Sequence, residues 1–148
     1  VVKVALAHCA SDGQDIDIDE SENGTVRQSF DLFARLMDTP TYEQQLYGEI
    51  SALTLRNHEW AIKPLLERPD WHSRLLNGSD YPLPGIMPLI DAKSLHRQDL
   101  LDKEAVSFLQ SIKPYNALLF DFALKRLLHS GDIYFASDVF HTRPFFES

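Results

Sequence analysis

With 148 residues, 44% hydrophobic and 11% aromatic, the chain is the size of one domain and has the apolar content for a packed core, which excludes wholesale disorder. Its 14 basic against 22 acidic residues give a net charge of -8, so neither nucleic acid nor an anionic membrane is an expected partner, and no apolar run approaches the ~20 residues that span a bilayer. The single Cys9 excludes an internal disulfide and a thiolate zinc site, and a reducing, cytoplasmic setting is expected.

Residues 1–9 are rich in β-branched and small apolar residues, a pattern that predicts a short strand buried on both faces. The chain begins with Val1 directly inside this segment, which suggests a piece of something longer. Ala10 to Gly24 is acidic (Asp12, Asp15, Asp17, Asp19, Glu20, Glu22) and is expected to be a solvated loop. Thr25 is then placed as the N-cap of a helix carrying Phe30, Phe33, Ala34, Leu36 and Met37, which ends at Thr39-Pro40.

A second strand is predicted over Tyr47–Leu53, where Gly48 and Ser51 are small enough for a crowded interior. Asn57 is expected to cap a helix with Trp60, Ile62, Leu65 and Leu66, with Pro64 in its first turns or at a kink. After Pro69-Asp70 a third strand is expected over about Ser73 to Ser79, followed by helices near Gln98–Ile112 and Tyr115–His129, the second closed by Gly131. The alternation of strand and helix over 1–131 predicts an α/β fold with a parallel sheet. The tail 132–148, with Tyr134, Phe135, Phe140, Phe145 and Phe146, is too aromatic for a free linker and is expected to pack on the body of one domain.

Candidate chemistry sits where strands end. His8 closes the first strand and Asp80 the third, so in a parallel sheet both project from the C-terminal rim. An imidazole and a carboxylate there can share a divalent metal, or the carboxylate can take a proton while the imidazole steadies the substrate. Against this, a strand-end histidine often serves packing, and an aspartate before Tyr81-Pro82 often forms a turn.

Val4-Ala5-Leu6-Ala7-His8-Cys9 together with Leu75-Leu76-Asn77-Gly78-Ser79-Asp80-Tyr81-Pro82 resembles the C-terminal part of the metal-dependent amidohydrolase superfamily. Those are (β/α)8 TIM barrels whose sixth strand ends in histidine and whose eighth ends in a Gly-Ser-Asp-aromatic-Pro turn. The segment Asn116–Arg126 also looks like the last helix of a subgroup of these hydrolases, so the resemblance runs to about His129. It implies strands six to eight of such a barrel, with Asp80 as a metal ligand and as the base for the hydrolytic water. His8 would be a second ligand or a donor to a small-molecule substrate, and the cofactor a divalent metal, with zinc the expected ion.

The implied activity is hydrolysis of a C–N or C–O bond in a parent protein, the isolated chain being expected to be inactive. Decarboxylation, or a non-catalytic domain acting through exposed strand edges, are the alternatives. The family draws further ligands from a His-x-His pair that this sequence lacks, so the barrel would need a missing N-terminal half or another copy of the chain to complete it.

Ser51 lies on the strand between His8 and Asp80 but has no motif, and packing is its expected role. His58, His72, His96, His129 and His141 lack i, i+4 pairing and are expected to be surface or capping residues. Asp15, Asp17 and Asp19 lack the glycine and closing glutamate of a calcium loop. Strand alternation would send Cys9 and His8 to opposite faces, which argues against a nucleophile pair.

Overall fold

The structure, a computed structural model, describes residues 2–20, 24–86 and 88–147; Val1 of the first expected strand and Glu22 of the acidic segment lie outside them. In chain order the elements are β1 (Val4–Leu6), β2 (Gln14–Asp17), β3 (Thr25–Gln28), α1 (Ser29–Met37), β4 (Leu46–Glu49), α2 (Ile62–Leu66), β5 (Leu75–Leu76), α3 (Ala92–Arg97), α4 (Lys103–Ile112), α5 (Ala117–Leu127), β6 (His129–Ser130), β7 (Ile133–Tyr134) and α6 (Arg143–Phe146). The fold is mixed α/β, built on a small parallel sheet with strand order β1-β4-β5. Val4 pairs with Leu46 and Leu6 with Gly48, and Gly48 and Glu49 pair with Leu75 and Leu76. Among the described residues no helix is long and apolar enough to cross a membrane.

Alternation divides β4 into two faces. Leu46 and Gly48 turn toward the core, where α1 presents Phe30, Phe33 and Met37 from positions spaced three and four residues apart. A Cβ on Gly48 would lie 2.7 Å from both Cys9 Sγ and Phe33 Cζ, and 3.1 Å from Leu75 Cδ2, so β4 meets its neighbours there with no room for a side chain. Tyr47 and Glu49 turn the other way, and Tyr47 packs against Phe145 with ring centroids 4.9 Å apart. The aromatic tail joins the core through Phe135 and Val139, both buried.

Several expectations are corrected. The first strand stops at Leu6, because His8, Cys9 and Ala10 adopt left-handed backbone angles (φ 54°, 50° and 50°) that end any ladder. Nor is it buried on both faces: Val4 is 47% exposed on the sheet edge. The acidic loop and the first residues of the expected helix form the antiparallel hairpin β2–β3, so Thr25 starts a strand and caps nothing.

That hairpin is fastened by charge. Asp17 is 2% exposed and accepts from both Arg35 guanidinium nitrogens, at 2.6 and 2.9 Å, and from Arg27 Nε at 3.2 Å. It is a buried ion-pair hub, not a solvated loop residue.

Downstream, β4 ends at Glu49, short of Leu53. Asn57 occupies a left-handed turn (φ 71°) ahead of a 3-10 turn over Glu59–Ala61, and Pro64 lies in the first turn of α2. The third strand shrinks to Leu75–Leu76 because Pro69–Arg74 winds as a 3-10 helix. An unexpected helix, α3, forms where the Asp91 carboxylate caps Lys93 and Ser94, and α4 starts only at Lys103. Gly131 sits in the β6–β7 turn, beyond the end of α5.

Two outcomes follow from this packing. Gly48→Ala is expected to lose about 1–3 kcal/mol through overpacking, read as a lower urea midpoint; an unchanged midpoint would contradict the close approach. The Arg35 hydrogen bonds hold the Asp17 carboxyl below its ordinary value of 3.8. The stability this adds is therefore present above pH 3.8 and lost as pH falls through the lower folded value. Asp17→Asn should lie below the native chain at neutral pH and converge with it in acid; a constant gap across an acid titration would refute the assignment.

Candidate functional site

All three parallel strands end at one rim, and just past each end stands a non-glycine residue in the left-handed region: His8 after β1, Ala52 (φ 57°) after β4 and Asp80 (φ 51°) after β5. Such backbone costs roughly 1–2 kcal/mol per residue and persists only where the surroundings enforce it. It turns the side chains of His8 and Asp80 toward each other, and His8 Nε2 stands 3.9 Å from Asp80 Oδ2.

Beneath them lies a hydrogen-bonded network. Ser51, 3% exposed, accepts from His8 Nδ1 at its carbonyl oxygen (3.1 Å) and at Oγ (2.9 Å). Its hydroxyl donates to Glu49 Oε2 at 2.5 Å, and its backbone N–H donates to Glu49 Oε1 at 2.8 Å. Ser51 is thus a link in this network, where packing alone was expected of it.

The network has a direction. A backbone carbonyl only accepts, and a serine hydroxyl that donates to a carboxylate has its lone pairs left to accept. His8 Nδ1 must therefore carry the proton, which leaves the lone pair of the neutral ring on Nε2, facing the Asp80 carboxylate. Two acceptors 3.9 Å apart are too far for a hydrogen bond and are suited to receive a donor or cation between them. The space they border is a cavity of about 540 Å³ whose lining includes His8, Glu49, Ser51, Asp80, Phe145 and Phe146.

No sequence motif marks Glu49. Its signal was alternation: two residues before Ser51 in an extended segment, it shares the Ser51 face. Gly78 allows this placement, since a Cβ there would fall 1.9 Å from Glu49 Oε1.

The remaining candidates lie elsewhere. Cys9 is fully buried, and burial first, with Glu49 adding to it, pushes its thiol far above the ordinary value, so no thiolate is at hand. His72, expected at the surface or at a cap, is instead a core strut, its Nε2 against Leu65 O at 3.1 Å and its Nδ1 accepting from Ala136 N at 3.2 Å. His96 Nδ1 is bound to Leu101 O at 2.7 Å, and His129 Nδ1 to Gly131 O at 3.0 Å. Asp17 is spent on its two arginines.

Zinc can be tested against these donors. Catalytic zinc takes three protein ligands. Here His8 and Asp80 offer two and Glu49 is committed to Ser51; among the described residues no three His, Cys, Asp or Glu side chains group to hold a metal ion. The described residues do not by themselves fit the zinc centre that the resemblance implies.

Comparison of the chain with protein-family models, with curated proteins and with solved structures gives no match.

The network makes a direct spectroscopic prediction. In long-range 1H–15N spectra of the neutral ring, His8 should show the Nδ1–H form; a dominant Nε2–H form would contradict the proton placement.

Proposed function

We propose that the chain is the sector containing strands six to eight of an amidohydrolase-type (β/α)8 barrel, and that it supplies Asp80 and His8 to a centre hydrolysing a C–N or C–O bond of a small molecule. The observation that carries this is the approach of the His8 Nε2 lone pair and the Asp80 carboxylate, 3.9 Å apart, from two strands of one parallel sheet. Chain-order adjacency of β1, β4 and β5, with α1 and α2 between them, supports a barrel sector, since barrel strands neighbour one another in sequence order.

In this role Asp80, with 40% of its side chain exposed, takes a proton from the attacking water and later returns it to the departing nitrogen or oxygen. His8 Nε2 accepts a hydrogen bond from the water or from a substrate N–H and fixes its direction. Ser51 and Glu49 hold the imidazole in the form that leaves Nε2 free. In this proposal the other metal donors belong to strands that complete the barrel, from further chain or from a second copy.

The two-donor count favours a second reading as well: a module that binds a cationic or N–H-bearing ligand at the same cavity without turning it over.

In the barrel completed by those strands, assayed on chromogenic esters and anilides with zinc present, Asp80→Asn is expected to lower the hydrolytic rate at least about 100-fold. Full activity in that variant would contradict the assignment of Asp80. A completed barrel that hydrolyses none of them and fails to bind micromolar zinc would favour the binding module.

A further inference from the structure

Lys125 and Asp121 stand one turn apart on α5, 1% and 2% exposed. Lys125 Nζ donates to Asp121 Oδ2 at 2.8 Å and to the Gly78 carbonyl at 2.5 Å. Taking an ammonium and a carboxylate out of water is costly, and apolar side chains of similar volume would fill the same space without that cost. Burial pushes the Asp121 carboxyl up; Lys125 opposes the rise and Glu49 adds to it, so the pair lies within electrostatic reach of the rim network.

The contact that leaves α5 is therefore the informative one. Gly78 lies two residues before Asp80 and beyond the last sheet bond of β5, from Ile50 N to Leu76 O. From there no ladder guides the chain. Asn77 N donates to Val139 O at 2.8 Å, Lys125 holds the Gly78 carbonyl, and Leu83 N donates to Asp80 O at 3.0 Å. The middle bond fixes the peptide joining Gly78 to Ser79, immediately ahead of the left-handed turn at Asp80, while Gly78 is already in close approach to Glu49.

We infer that Lys125 is a positioning residue: its buried ammonium, balanced by Asp121, anchors the Gly78 carbonyl and so sets where the Asp80 carboxylate stands relative to His8 Nε2. This rests on His8 and Asp80 being the working pair.

The test compares the native chain, Asp80→Asn, the charge-free pair Asp121→Leu with Lys125→Met, and all three substitutions combined. The 15N signal of His8 Nε2 is read at about pH 9, where an imidazole is neutral. Asp80→Asn is expected to move that signal in the native background, and to move it less than half as far in the charge-free background. A lysine that merely stabilised α5 would change the unfolding midpoint and leave the two movements equal, which overturns the inference while sparing the His8–Asp80 pair. No movement in either background overturns both.

The native chain offers a second reading that needs no variant to fold. The Lys125 ammonium should give a slowly exchanging 1H–15N signal, and exchange as fast as that of an exposed lysine overturns the anchor.

Discussion

A Cβ on Gly48 would come within 2.7 Å of Cys9 Sγ and Phe33 Cζ, and that exclusion sets the depth at which β4 lies between β1, β5 and α1. One residue on, alternation carries Glu49 to the opposite face, where its two oxygens receive the Ser51 hydroxyl and amide. Core packing on one side of β4 thus fixes the height of the polar network on the other. The same seating brings the end of β1 against the end of β4, so that His8 Nδ1 meets Ser51.

What results is a site ordered from below. Glu49 orients Ser51, Ser51 holds His8, and the imidazole presents Nε2 to Asp80. On the far side the carboxylate is carried by a segment that has left the sheet and depends on bonds from the tail and from α5. The strained backbone at His8, Ala52 and Asp80 gathers at this rim, where its cost aims side chains that regular strands would send elsewhere.

The parallel sheet was legible because its strands are short apolar runs separated by helical spacing, as in Phe30, Phe33 and Met37. His8 and Asp80 were legible because they follow those runs directly. The β2–β3 hairpin was not: Ile16 and Ile18 alternate with aspartates, but they and Val26 are more than half exposed and give the core no apolar face, while Asp17 is buried by two arginines, one of them on α1. Such long-range charge pairing leaves no local trace. Lys125 escaped for the same reason, since its partner Gly78 lies 47 residues away, whereas Glu49, two residues before Ser51, carried only the alternation that puts the two on one face. The strand lengths were overestimated where left-handed residues and a 3-10 turn, neither requiring glycine here, cut the ladders short.

The central claim is the convergence of His8 and Asp80 across the strand ends, and a nuclear Overhauser measurement on the native chain tests it most directly. The ring protons flanking His8 Nε2 should show cross-peaks to the Asp80 β-protons, alongside contacts from the other side of the ring to Ser51. Cross-peaks to Ser51 with none to Asp80 would contradict the account, leaving a histidine held by β4 and a carboxylate turned away from it.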